Sequence, residues 1–477
     1  MKILCLLLAV CAFGQDYREP YRPQFHFSPR QNWTNDPNGL VYFEGEYHLF
    51  FQYNPLGDRW GHMSWGHAVS TDLVHWKELP VALAEENGVM IFTGSVVVDH
   101  ANSSGFCQGA KPCMVAIYTG HTPAAGSKAA LQTQNVAFSN DRGRTWTKYS
   151  KNPVLNLNMP DFRDPDVFWS DASKRWVMAV SLPDDHKVVF YGSPDLKRWD
   201  RLSEFGPAGV TAGQWECPDL FELPVVGGGS TRWVLKVGLN PGGLQGGSGE
   251  QYFVGQFDGT RFVNDNAAGV TLWSDYGKDC YCALTFNNLP AARSPVMIGW
   301  MNNWQYADKV PTHPWRGQMT IPREMSLQTF DEGIRLVQKP AAALKSLRES
   351  HTPAKLNGSF LFTGTLELGG AKQAGWKIVG PDGVSAVVGY DSEKKEVFVD
   401  RVSKEFPAHT AAPLPEVPRP FSFDILVDRN SIEVFTAGGR IAITNLIFAP
   451  PATGVEFFAE GDGKAVNTGV WTFRSIW

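Results

Sequence analysis

No apolar run in this 477-residue chain approaches the roughly 20 residues needed to cross a bilayer. The longest stretch at the amino terminus, Ile3 to Phe13, follows Lys2 and ends at the small residue Gly14. That is the pattern of a short secretory signal over residues 1–14, so a soluble, exported mature protein is expected. Leu8-Ala9-Val10-Cys11 resembles a lipoprotein cleavage site only faintly, because Val10 is a poor fit before the cysteine. An excess of one charge is lacking too. Lys and Arg number 43 against 48 Asp and Glu, for a net charge of −5, with no basic stripe to hold nucleic acid or an anionic membrane. A neutral ligand is the expectation. Long helical periodicities are also missing, which points to an all-β chain.

Cysteine is scarce. Cys5 and Cys11 fall in the signal, leaving Cys107, Cys113, Cys217, Cys280 and Cys282, an odd set with at least one thiol free. Cys107 and Cys113 flank a short loop and are able to bridge in an oxidising compartment. Cys280 and Cys282, two apart on a strand, are poorly placed to pair with each other and read as buried small hydrophobes. No paired Cys-x-x-Cys and no His-Glu-x-x-His occurs, so no metal is expected.

Aromatic residues are plentiful, at 17 Trp, 30 Phe and 13 Tyr. Flat rings suit sugar faces, although most must serve the core. From Leu40 to Arg335 short strand-like runs alternate with Gly, Pro, Asn and Asp, as hairpins do. A weak repeat, Ser70-Thr71-Asp72-Leu73-Val74-His75-Trp76, returns at Ser139 to Trp146 and at Ser193 to Trp199. Its spacing suits successive four-stranded sheets of a propeller, which gathers distant residues at one funnel. Composition changes near Gln338 to Leu344, after which Trp is sparse and alternating runs such as Val384 to Tyr390 and Phe421 to Val427 suggest a β-sandwich. The expected division is a catalytic propeller over 15–338, a short helical link over 339–344 and a sandwich over 345–477.

Three acidic motifs stand out in the first domain. Asn35-Asp36-Pro37-Asn38-Gly39 holds a carboxylate in a tight reversal, which taken singly is ordinary turn chemistry. Arg163-Asp164-Pro165 and Trp215-Glu216-Cys217-Pro218-Asp219 supply two more acids. Glycoside cleavage with retention needs an ionised nucleophile and a protonated acid about 5–5.5 Å apart. Arg163 is expected to keep Asp164 ionised, and the apolar neighbours of Glu216 to let it hold its proton longer.

These motifs, with His26-Phe27-Ser28-Pro29, Phe51-Gln52-Tyr53-Asn54-Pro55, Phe92-Thr93-Gly94-Ser95, Trp273 to Asp279, Gly299-Trp300 and Asn303-Trp304, resemble glycoside hydrolase family 32 over nearly the whole mature chain. That family comprises the invertases, inulinases and levanases that hydrolyse β-fructofuranosides. The resemblance implies a five-bladed β-propeller followed by a C-terminal β-sandwich and an activity that needs no cofactor. It implies Asp36 as nucleophile, Glu216 as acid and base, and Asp164 as transition-state stabiliser. Asn35, Gln52 and Arg163 then act as donors around the furanose. Trp33, Trp60, Phe92 and Trp300 line the pocket with the Thr93 hydroxyl, and Trp304 is a further wall. Thr93 stands where the family commonly has Ser, which keeps the hydroxyl. Thr34 makes Asn32 a formal glycosylation sequon inside the catalytic turn, where a glycan would obstruct the pocket, so Asn32 is expected unmodified and Asn102 and Asn357 are the candidate acceptors.

The expected activity is release of terminal fructose from sucrose, inulin or levan by double displacement. A fructosyltransferase using the same site is an alternative, as is a silent fructan-binding protein, which the presence of all three carboxylates disfavours. Substrate length and oligomeric state are not specified by these motifs.

Overall fold

The computed structural model describes residues 17–126, 129–267, 269–291, 293–352 and 355–477; the expected signal lies outside them. Five antiparallel sheets follow one another along the chain. The first blade is Asn32–Phe43, Glu46–Asn54, Ser64–Ser70 and Lys77–Leu83, and the second is Met90–Asp99, Cys113–Thr122, Leu131–Ser139 and Thr147–Lys148. The third is Arg163–Ser170, Arg175–Leu182, Lys187–Ser193 and Asp200–Phe205. Gln214–Pro224, Thr231–Asn240, Gly249–Phe257 and Phe262–Asn264 form the fourth, and Tyr281–Thr285, Val296–Trp300, Arg323–Phe330 and Gly333–Pro340 the fifth. The fold is thus a five-bladed β-propeller followed by a β-sandwich, as the sequence predicts.

The repeated Ser-x-Asp…Trp segments are one device used three times, each joining the third strand of a blade to the fourth. Ser70 Oγ accepts the Leu73 amide, Asp72 Oδ1 accepts the Val74 and His75 amides, and Trp76 Nε1 donates to the Leu73 carbonyl. Trp146 and Trp199 make the same closure onto Gly143 and Leu196. The side chains satisfy turn amides that would otherwise lack partners, and the Trp ring covers them. The ring of blades closes where Asn32 and Trp33 pair in parallel with Trp315 and Arg316 of the fifth blade's long connection. Asn287 adds hydrogen bonds to Leu40 and Tyr42.

The last blade strand reaches Pro340, opposite Arg323, and so extends past the expected boundary at 338 because its ladder continues to the end. A 3-10 helix follows at Ala342–Leu347, three residues later than the link expected over 339–344. Beyond it, sheets of six and five strands pack face to face around Trp376, Phe362, Phe423 and Ile425.

Polar side chains join the two domains under full burial. His26 sits between Asp428 at 2.9 Å and Glu433 at 2.8 Å, and Arg323 reaches Glu433 at 2.6 Å and Asp275 at 2.8 Å. Asp275 also accepts the Thr444 amide and hydroxyl. The Trp273 to Asp279 motif therefore belongs to the domain interface. A Cβ on Gly277 would lie 2.1 Å from the Thr444 carbonyl, so glycine permits this close approach. Burial alone would depress the His26 pKa, but its two carboxylate partners override that and raise it to about 9.

Losing one member of such a buried network costs about 3–5 kcal/mol, so His26→Ala lowers the thermal midpoint. Because the folded-state pKa exceeds the usual 6.5, the charged histidine's contribution is complete below that value and is lost as pH rises through about 9. Thermal melts of both proteins at pH 7 and pH 9.5 check this. The gap narrows at the higher pH; a gap independent of pH contradicts the ion-pair account.

Candidate active site

The innermost strand of every blade carries the same irregularity. Between Thr34 and Pro37, Ile91 and Gly94, Arg163 and Asp166, Glu216 and Asp219, and Tyr281 and Leu284, the inner strand advances one residue more than its partner. Each is a β-bulge. An extra residue bends the strand and breaks the alternation of side chains, so consecutive residues are re-aimed at the channel end. Asn35 and Asp36, Phe92 and Thr93, Asp164, and Cys217 lie within these bulges, while Arg163, Glu216 and Tyr281 open theirs. Asp164 and Cys217 adopt φ of 66° and 47°, a region uncommon for residues other than glycine.

The result is a cavity of about 330 Å³ whose lining includes Asp36, Asp164, Glu216, Arg163, Thr93 and Gln52. Asp36 is buried; its Oδ2 accepts the Thr93 hydroxyl at 2.8 Å, and Oδ1 has no hydrogen-bond partner among the described residues. Asp164 Oδ2 accepts the Cys217 amide at 3.0 Å, and the Asp164 amide is anchored by Thr119 Oγ1 at 2.9 Å. Glu216 Oε1 receives Arg163 Nε at 3.0 Å, and Oε2 receives the Tyr281 hydroxyl.

Arg163 corrects one expectation. Its guanidinium binds Glu216, Asp161 at 2.6 Å and Gln214 at 2.6 Å, because the bulge turns it away from its sequence neighbour. Asp164 is not held below the usual carboxylate range. Burial raises its pKa, Arg163 opposes this from a distance, and Glu216 and Asp36 raise it further. Glu216 is not in an apolar setting either, being gripped by a cation and a phenol. For Asp36, burial and then the charge of Glu216 push the pKa up to about 6.

The aromatic wall also differs from expectation. Trp304, Trp60 and Phe92 line the cavity, together with Asn35. Trp33 and Trp300 are fully buried behind Trp304, with ring centroids 5.9 Å and 4.8 Å from it. Residues the sequence reading did not single out are His121, stacked on Phe92 at 4.4 Å, along with Gln132, Asp161, Asn240 and Tyr281. Only a bulge placed at the same level in all five inner strands identifies Tyr281, and this requires the strand register. Asn32 Nδ2 donates to the Pro55 carbonyl at 3.0 Å and to the Tyr53 hydroxyl at 3.3 Å, so the sequon amide is engaged.

Cysteine pairing supplies another correction. Cys107 is bridged to Cys113, but Cys282 is not a free hydrophobe: it is bridged to Cys217, and Cys280 is the buried free thiol. Sulfur atoms of Cys217 and Cys282 lie with an Asp36 oxygen within 4.8 Å of one another. Bridged sulfurs are not thiolates, so in this oxidation state the group is not a soft-metal site.

Carboxylates converging in an aromatic-walled cavity are the groups that glycoside cleavage calls for. Residues 26–340 match the glycosyl hydrolases family 32 N-terminal domain and residues 334–472 the family 32 C terminal. The chain is 42% identical to a levanase of Bacillus subtilis, over all of this chain and 74% of that protein. It is also 42% identical to an extracellular exo-inulinase of Aspergillus niger, over 92% of each. The crystal structure of exo-inulinase from Aspergillus awamori superposes with a TM-score of 0.90 at 39% identity, covering 97% of this chain and all of that one. The chain belongs to glycosyl hydrolase family 32. It is a β-fructofuranosidase, a hydrolase that releases fructose units.

Raised carboxylate pKa values carry a stability cost with a definite sign. Asp36 binds its proton more tightly folded than unfolded, so stability falls as pH rises from the usual carboxylate value through about 6, and the full cost is present above that. Asp36→Asn is therefore expected to stabilise the fold at pH 8 by on the order of 1–3 kcal/mol, and by less at pH 4.5. Chemical denaturation at the two pH values measures this; an equal or lower stability at pH 8 contradicts it.

Proposed function

We propose that this protein is an exported, exo-acting, retaining β-fructosidase that releases terminal β-D-fructofuranosyl units from levan, inulin and sucrose. The observation that carries the reading is the convergence of Asp36, Asp164 and Glu216 from three different blades on one small cavity, with one Asp36 oxygen unengaged. A cavity near 330 Å³ favours a chain end over an internal segment. The levanase and the extracellular exo-inulinase among the relatives support both the substrate class and export.

In the first step Asp36 attacks the anomeric carbon, forming a fructosyl ester as the glycosidic bond breaks. The departing oxygen takes the Glu216 proton. In the second, Glu216 removes a proton from water, whose oxygen displaces Asp36 and regenerates both carboxyl groups in their starting states. Arg163 and Tyr281 fix the two oxygens of Glu216, which orients the group that must face the leaving oxygen. Asp164, pinned by the Cys217 amide, supports the sugar hydroxyls as positive charge develops on the ring. Trp304, braced by Trp33 and Trp300, offers a rigid face. Trp60, Phe92 and His121 form a second aromatic group in the lining.

Asp36→Ala and Glu216→Ala are expected to lower kcat by at least about a thousandfold without loss of fold, since covalent and proton-transfer catalysis each supply much of the rate. Turnover of sucrose and fructan with circular dichroism as control checks this; near-normal activity in either variant contradicts its assigned role. The nucleophile must be ionised, so kcat/KM of the free enzyme rises with pH through about 6, the value to which burial and Glu216 push Asp36. A pH profile already flat between pH 4 and 6 contradicts Asp36 as that group.

A further inference from the structure

Cys217 directly follows the acid Glu216, and Cys282 directly follows Tyr281, the residue whose hydroxyl holds that acid. Both cysteines lie in the bulges of their strands, and both have φ of 47°. Their disulfide spans 5.5 Å between Cα atoms and ties the inner strand of the fourth blade to that of the fifth beside Asp36. Cys217 also donates its amide to Asp164, and its Sγ lies 3.8 Å from Asp36 Oδ2. One cystine half is therefore adjacent to all three carboxylates, by a peptide bond, a hydrogen bond and a van der Waals contact. Most disulfides staple loops or termini; this one is fully buried where the chemistry occurs.

We propose that the Cys217–Cys282 disulfide is a positioning element of the catalytic centre. It locks Glu216 in register with Tyr281, holds the Cys217 amide on Asp164, and keeps a thiol proton away from Asp36. The proposal rests on the role assignment above. Both bulge residues occupy a backbone region uncommon for side chains other than glycine, so the surroundings must hold them there. A covalent cross-link between them does so in a way that hydrogen bonds across a blade boundary cannot match.

Opening the bridge has two separable consequences. A dithiol transfers two electrons and two protons, leaving as its cyclic disulfide and converting the cystine into two thiols. The inner strands then lose their cross-link, and Glu216 loses its fixed lateral position. In addition, the Cys217 thiol is able to donate to Asp36 Oδ2, the oxygen that already accepts from Thr93. The groups facing Asp36 are Asp164, Glu216 and Tyr281, with Arg163 behind Glu216. Against two carboxylate neighbours, one new donor favours the ionised form of Asp36.

The test compares Cys282→Ala, which leaves the Cys217 thiol, with the double variant Cys217→Ala/Cys282→Ala, which has neither, and with Cys280→Ala as control. Non-reducing peptide mapping of the wild-type enzyme first shows residues 217 and 282 linked. Both bridge variants are expected to lose about tenfold in kcat, as small misplacements of reacting groups do, with KM within about twofold. The acid limb of kcat/KM for Cys282→Ala lies about half a pH unit below that of the double variant; Cys280→Ala matches wild type. Should a variant fail to fold, wild-type enzyme opened with dithiothreitol and mapped for free thiols at 217 and 282 is expected to show the same loss of kcat, with Cys107→Ala/Cys113→Ala treated alike to account for the other bridge. Free thiols at 217 and 282 in the untreated enzyme overturn the proposal. So does a lowered thermal midpoint with wild-type kcat and pH profile, which marks the bridge as structural only. Activity retained in Asp36→Ala or Glu216→Ala defeats the role assignment, whatever the bridge variants do.

Discussion

One extra residue in each of five inner strands is the constraint on which this active site depends. In a regular strand, successive side chains alternate between faces, and acids such as Asp36 and Asp164 would share their strands with neighbours directed into the blades. The bulge breaks that rule at the same level in every blade, so pairs such as Asn35 with Asp36 and Arg163 with Asp164 both serve the cavity. Asp36 and Glu216 are brought together by the ring of blades, and aimed by the bulges. The turns and rims that build the blades are ordinary; the five-fold repetition of one defect is what makes a site.

The assembled carboxylates are electrostatically unfavourable to one another. Asp36 and Asp164 are buried; Asp36 raises the proton affinity of Asp164, and Glu216 raises that of both. Arg163 offsets this by pairing with Glu216 and Asp161, which places its charge at Glu216 more closely than at Asp164. Such an arrangement costs stability, and the fold recovers it elsewhere: in tightly packed blade cores and in the His26, Arg323, Asp275, Asp428 and Glu433 network that fixes the sandwich against the propeller. Among the described residues the sandwich supplies no carboxylate to the cavity, yet its Asn430 and Glu433 bond to Gln318 and Ile321 of the fifth blade's long connection, which also carries Trp304.

Much of this was legible in the chain. Hairpin punctuation, the Ser-x-Asp…Trp turns and the three acidic motifs pointed to the propeller and singled out Asp36, Asp164 and Glu216, and strands expected at Val384 to Tyr390 and Phe421 to Val427 appear at Gly383–Asp391 and Ser422–Asp428. Local chemistry governs these features, so local sequence reveals them. What could not be read depends on register or on distant partners. Adjacency suggested that Arg163 serves Asp164, but the bulge sends it to Glu216. Trp33 and Trp300 looked like pocket walls, whereas they brace Trp304. Cys282 read as a small hydrophobe because nothing in its own strand announces Cys217, 65 residues away. His26 carried a family motif whose work, bonding to Asp428 and Glu433, lies some 400 residues along the chain.

The central claim is that Asp36 carries the fructosyl group while Glu216 supplies and recovers the proton. It is tested most directly by trapping the ester. In Glu216→Ala, fructosyl fluoride needs no acid to lose its leaving group, and water without its base attacks slowly, so the covalent intermediate accumulates. Peptide mass spectrometry of the quenched reaction is predicted to find one anhydrofructosyl unit on the peptide containing Asp36, absent when Asp36 is replaced by Ala. The unit on any other carboxylate, or turnover with inversion and no adduct, would contradict the account.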